Sequence, residues 1–257
     1  MQMLSENFFT PAHPNIRPPT DSVAKIWRYM SFAKYCTLLR TRQLHFTSTA
    51  LFDDRWEGSH GLWHAAGVEL ISVFSKVNWS SMSLKEFSTR WNRWIRGWTY
   101  ANCWHINPDD SEAMWKLYAS DAGSVAIQST YGRLRSVLTP DIGIGRVFYS
   151  NFYATPPEKS PFKGYPTPFV FKRKSLKHER ELRALVQRVP LTSDGVVDLW
   201  MPDPPPAYSV NVDLHKLIEA VHVQPDAPQW LVDTVANITK LNHVNIPVEQ
   251  IRDEALF

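Results

Sequence analysis

The sequence has too little cysteine for a disulfide framework and no apolar run long enough to cross a membrane. Its two cysteines, Cys36 and Cys103, allow a single bridge at most in a chain of 257 residues, so free thiols in a reducing compartment, and hence a cytoplasmic protein, are expected. No stretch approaches the roughly 18 consecutive apolar residues of a membrane helix, and Met1 to Thr20 has no apolar core behind basic residues, so neither membrane association nor export is expected. Charge of one sign is scarce too: 28 Lys and Arg against 25 Asp and Glu give a net +3, a basic excess too slight to mark a dedicated polyanion binder. Internal repeats, an interdomain linker and the regular strand-helix alternation of a doubly wound parallel sheet are missing as well. The expectation is a single α+β domain over 21–257, with a central, mostly antiparallel sheet and surrounding helices. An extended arm over 1–20 precedes it, where the prolines of PAHPNIRPPT break helix and ladder alike.

Material for a core is plentiful, with 44% hydrophobic residues and 11 Trp. Ile26 to Met30 reads as a strand, Ser31 as the cap of a helix with Phe32, Tyr35, Cys36 and Leu39 at helical spacing, and Leu44 to Leu51 as a second strand. Ser83 with Glu86 forms a capping-box pattern ahead of a helix to Trp98, whose stripe of Phe87, Trp91, Trp94 and Trp98 should face inward. Ser111 to Ala119 and Gln229 to Leu241 read as helices, and Ser124 to Thr130, Arg146 to Tyr153 and Glu181 to Val189 as strands. MPDPPPA, 201–207, is a proline-dense loop.

Three clusters carry chemistry. In FKRKSLKHERELRALV, a strand at the end would put Glu179, Glu181 and Arg183 on one face and Leu182, Ala184 and Val186 on the other. Paired carboxylates shift each other's protonation, or steady positive charge at a reacting carbon; they equally suit an exposed strand edge, paired with Lys177, Arg180 or Arg183. Lys172, Arg173, Lys174 and Lys177, with Phe169 and Phe171 interleaved, form a basic patch suited to phosphate on a nucleic acid or dinucleotide, or simply a solvated loop. In FDDRWEGS, Asp53, Asp54 and Glu57 are clustered oxygens of the kind a hard cation needs, and His60 and His64 have half of a zinc spacing. An acidic turn is the plainer account, and no metal is expected. Finally, Cys103 and His105 could share a strand face but read as buried structural residues, while Trp115 and Tyr118 suit either a flat ligand ring or the core.

As an ordered set, IWRYMSF, FDDRWEGS, CWHIN with DSEAMWKLYAS, GSVAIQST and FKRKSLKHERELRA resemble the bacterial domain-of-unknown-function family 2971. That resemblance implies a bacterial or phage origin and no particular chemistry. A Glu-x-Glu pair on a strand, with an arginine on an early strand and a hydroxyl on the next, is also similar to ADP-ribosyltransferases of the Arg-Ser-Glu type. This second similarity implies NAD as the dinucleotide substrate. Arg28 would hold its phosphates, Ser48 would support the site, and Glu181 would stabilise the charge that grows as nicotinamide leaves, with a nucleic acid or a protein as acceptor. The alternatives are a non-catalytic nucleic-acid- or protein-binding module using the basic patch, and a metal-dependent nuclease or phosphodiesterase using the acidic clusters.

Overall fold

Ser31 both ends a strand and starts a helix, and that junction sets the architecture around it. In the computed structural model, which describes residues 5–6, 15–54, 57–58, 83–118, 123–150, 167–197, 199–201 and 204–251, the strands are β1 (Ser5–Glu6), β2 (Lys25–Ser31), β3 (Gln43–Ser48), β4 (Thr99–Ile106), β5 (Ser124–Thr130), β6 (Gly143–Arg146), β7 (Phe148–Ser150), β8 (Phe171–Arg173), β9 (Glu181–Gln187), β10 (Val189–Pro190), β11 (Ala207–Asn211), β12 (Ala220–Val223) and β13 (Val248–Gln250). The helices are α1 (Phe32–Thr41), α2 (Leu84–Gly97), α3 (Glu112–Tyr118), α4 (Tyr131–Val137), α5 (Leu214–Leu217) and α6 (Gln229–Leu241). The Ser31 side chain accepts from the Lys34 amide at the start of α1, and at its end Arg42 turns left-handed so that its amide reaches the Leu38 carbonyl. That tight stop sends the chain directly into β3.

Nine of these strands form one sheet in the order β11-β3-β4-β2-β5-β12-β13, with β9 against β4 and β6 against β9. Every pairing in it is antiparallel except β12 with β13. The chain is thus an α+β domain with a mostly antiparallel sheet, as the sequence pattern implies.

The sheet is divided at β4. One edge of β4 pairs with β9 along its length, from Thr99↔Gln187 to His105↔Glu181. The other edge is shared: β3 takes only Tyr100 and Ala101, β2 takes only His105 and Ile106, and Asn102 to Trp104 pair with neither. Because β2 and β3 are the two ends of a β2-α1-β3 unit, α1 stands over the opening between them.

Packing follows strand alternation. On one side Ile26, Leu44, Phe46, Trp104, Leu182, Ala184 and Val186 meet α1, α4, α5 and α6 in the larger core. On the other, Ala101 and Leu185 meet Phe87, Trp91 and Ile95 of α2 and Trp98 at its C-terminal end. The full capping box of Ser83 and Glu86 fixes the start of α2, a motif worth about 1 kcal/mol. Trp91 and Trp98 face inward, while Trp94 is only half-buried.

Several elements differ from the pattern reading. The strand expected to reach Leu51 stops at Ser48 and gives way to a 3₁₀ turn, Thr49–Leu51. Val147 separates β6 from β7 where one strand is expected, and 151–153 lie outside the described residues. On α3, Met114 is buried but Leu117 and Tyr118 are exposed, at 54% and 48%, so the apolar stripe is narrower than its spacing implies. Of the expected arm, Ser5 and Glu6 pair with β10, and Ile16 is buried in the α2-side core. Among the described residues no helix is long and apolar enough to cross a membrane.

Candidate active site

The opening between β2 and β3 is a cleft of about 820 Å³. Gln43, His45 and Thr47 reach it from β3, Ala101, Cys103 and His105 from β4, Arg28 and Tyr29 from β2, Tyr118 from α3 and Glu181 from the first position of β9. Alternation explains all of these strand residues but Arg28: Thr47 pairs with Ala101, Trp27 and Glu181 with His105, and directly paired residues project from the same side, whereas Arg28, between Trp27 and Tyr29, starts from the opposite face.

Arg28 points into the gap that unpaired β4 leaves. Its guanidinium touches the His45 carbonyl at 3.5 Å, the outer limit of a hydrogen bond, and the Asn102 side-chain amide donates to the same oxygen at 2.8 Å. Among the described residues no carboxylate pairs with Arg28. Burial draws its pKa down to about 10, with Cys103 and Tyr118 opposing, so it stays cationic at neutral pH. A desolvated, unpaired guanidinium is costly, and an anionic ligand would repay that cost.

At the Glu181 side five ionisable groups interlock. The Lys172 ammonium lies 2.5 Å from Glu179, 2.8 Å from Glu181 and 3.7 Å from Glu57. Arg183, fully buried, donates through Nε to the second oxygen of Glu181 at 2.6 Å, through Nη1 to the Phe169 carbonyl at 2.8 Å, and through Nη2 to Glu57. Gly58, at φ +69°, makes the turn that carries Glu57 there. The Glu181 amide donates to the Tyr149 hydroxyl at 2.8 Å. With all five groups ionised, three carboxylates face two cations, and one negative charge is left over.

Burial raises the Glu181 pKa, Lys172 opposes it and Glu179 adds to it; the result is about 7. Burial acts against the Lys172 ammonium, but Glu181 and Glu179 more than offset this and hold its pKa above the ordinary value. Cys103 lies within electrostatic reach of both Arg28 and Glu181; burial first, then the Glu181 carboxylate, push its thiol well up. His105 is pulled down by burial, and its Nδ1 meets the Glu179 carbonyl at 2.7 Å rather than the sulfur. The thiol and imidazole therefore do not form an activated pair. Cys36 and Cys103 are both free. In denaturant without reductant both should react with a disulfide reagent, and in the native state Cys103 should react far more slowly; a bridged mass in the denatured protein would contradict this.

The sequence candidates divide accordingly. Arg28, Glu181 and Tyr118 line the cleft together. Trp115 does not: it is buried beside Tyr29 at 4.9 Å between ring centres, its indole donating to Asp110. Ser48 is turned the other way, its hydroxyl donating to the Gly97 carbonyl at 2.9 Å. Glu179 is not on the strand, because Arg180 is left-handed at φ 41° and Glu179 ends a 3₁₀ turn, Lys174–Glu179; Lys172 nonetheless bridges it to Glu181. The basic patch is split: Lys172 is buried among carboxylates and Arg173 pairs with Asp54 at 3.2 Å, while Lys174 and Lys177 are exposed. His60 and His64 lie outside the described residues, and among those described no group of three or more His, Cys, Asp or Glu could hold a metal ion. His45, Thr47 and Tyr29 escaped the sequence reading. The alternation that buries Leu44 and Phe46 would have placed His45 and Thr47 at the cleft.

No protein-family model matches the chain, so the resemblance to family 2971 gains no support, and no curated protein matches it. Two solved structures align with most of it. Thermus sp. 2.9 DarT in complex with carba-NAD+ is 10% identical over 91% of this chain and 98% of that one, with a TM-score of 0.40. The same protein in complex with ADP-ribosylated ssDNA is 9% identical over 93% and 97%, also at 0.40. A likeness of that degree transfers neither fold nor chemistry.

Proposed function

We propose that the protein is an NAD-using ADP-ribosyltransferase whose acceptor is a nucleic acid or a protein. The observation that carries this reading is the cleft's opposed charge: a desolvated Arg28 on β2, with no carboxylate partner among the described residues, and at Glu181 a cluster of three carboxylates against two cations, on the two strands that flank β4. A dinucleotide with an anionic pyrophosphate and a cationic nicotinamide ring is complementary to both. Arg28 binds phosphate, and Glu181 stands where the ring is released. When the glycosidic C–N bond breaks, its electron pair leaves with nicotinamide and cancels the ring charge, while positive charge grows on the ribose. The acceptor's nucleophile then bonds to the ribose carbon and gives up its proton to water. A fixed carboxylate in a poorly solvated site stabilises that growing charge more than it stabilises bound NAD, which is what lowers a barrier.

The other readings lose their parts. A binding module needs the basic patch, whose first two members are already neutralised by carboxylates. A metal-dependent nuclease needs Asp54 and Glu57, which are held by Arg173 and Arg183.

The test is to mix the protein with NAD, measure binding by calorimetry at millimolar ligand, and follow nicotinamide release with nucleic-acid and protein extracts as acceptors. Arg28→Ala should weaken NAD binding by roughly 10- to 100-fold, as expected for losing a hydrogen bond from a charged donor. Neither binding nor release in the unmodified protein would overturn the reading.

A further inference from the structure

The mechanism above assigns no role to Lys172, yet its ammonium is the point on which the carboxylates converge. Lys172 is on β8, Glu179 ends the following 3₁₀ turn, Glu181 opens β9, and Glu57 comes from a distant turn. Neighbouring carboxylates repel, and nothing in the local backbone would hold Glu179 beside Glu181 once Arg180 has turned left-handed. Arg183 is turned elsewhere, each of its three nitrogens making one contact, to Glu181, Phe169 and Glu57, and none to Glu179.

We propose that Lys172 is a positioning residue: its ammonium binds Glu179 and Glu181 together and holds the Glu181 carboxylate ionised at the cleft. The inference rests on the proposed function only for its kinetic arm. The charged and titratable groups that face Glu181 are Lys172, Glu179 and Glu57 from the cluster, Arg183 on its own strand, Cys103 and His105 on β4, Tyr149 at its amide, and Arg28 and, from α3, Tyr118 across the cleft. Of these, Lys172 and Arg183 touch its carboxylate as cations.

The ligand-free test follows the Glu181 carboxyl signal by NMR in protein labelled at its glutamate carboxyls, the signal assigned by its loss in Glu181→Gln. In Lys172→Met the Glu181 titration should move to higher pH by roughly one unit or more, the size expected for removing an adjacent opposite charge, and Lys172→Arg should return most of it. Glu179→Gln should move it the other way, since Lys172 would then serve Glu181 with one carboxylate fewer. This variant keeps the test open if Lys172→Met does not fold. An unchanged Glu181 titration in folded Lys172→Met, or in Glu179→Gln, would overturn the proposal. In the kinetic arm, Lys172→Met should shift the acid limb of nicotinamide release to higher pH by the same amount with NAD binding nearly unchanged. A uniform loss of rate with no shift would overturn it too. If the unmodified protein neither binds NAD nor releases nicotinamide, the transferase reading falls, and the titrations still decide Lys172.

Discussion

Glu181→Gln is expected to lower nicotinamide release about a hundredfold, because a fixed charge beside a developing charge contributes about 3 kcal/mol. The substitution keeps the size of the side chain and removes its charge. It is not silent for the fold, since both Glu181 oxygens accept from cations, Lys172 at one and Arg183 at the other. The new amide must turn its N–H₂ toward one of them, and a donor facing a donor costs about 1–3 kcal/mol. Circular dichroism and denaturant unfolding therefore belong beside the activity assay, so that a rate lost to unfolding is separated from one lost to chemistry. In the unmodified protein the proposed active form is the ionised carboxylate, so the rate should rise with pH through about 7 and then level off. Stability has the opposite slope. With its folded pKa raised above the ordinary 4.5, Glu181 contributes most below that value, and the contribution is lost as pH rises through about 7. Glu181→Gln should lack that slope, and parallel stability curves for the two proteins would contradict the assignment.

The largest stability effect is expected at Arg183. Arg183→Met should cost about 3–5 kcal/mol in denaturant unfolding, because it leaves three buried or half-buried carboxylates, Glu57, Glu179 and Glu181, to Lys172 alone. Against a typical total of about 5–15 kcal/mol, this threatens the folded state itself. Adding Glu57→Gln to Arg183→Met should recover part of the loss by removing one of the stranded charges. A double variant as unstable as the sum of the two single ones would mean that Glu57 and Arg183 are not coupled.

How legible these features were depended on how local they are. The Ser31 and Ser83 caps act within one turn, and the helix from Gln229 to Leu241 has a single apolar stripe, so each was readable from a few residues. The strand character of AVHV in β12 is set by its neighbours β5 and β13, and four residues cannot announce that. At the site, Glu181 and Arg183 share a face through simple alternation. Glu179 leaves it because Arg180 adopts a conformation that residues with a Cβ seldom visit and that no pattern in the sequence signals. Lys172 was misread for a related reason. A basic run suggests a solvated surface, but the position on β8 turns this member toward acidic residues from three other places in the chain.

The site built on the divided edge of β4 is also divided along the chain. One wall of the cleft, from Trp27 through α1 to Thr47, is a single uninterrupted stretch of chain, while the acidic apparatus is assembled from Lys172, Glu179, Glu181 and Arg183 with Glu57. Apart from Glu57, the cluster's members therefore lie far along the chain from that wall. On the proposed function, substitutions in the first stretch would alter what the cleft admits and leave the charged cluster at Glu181 in place.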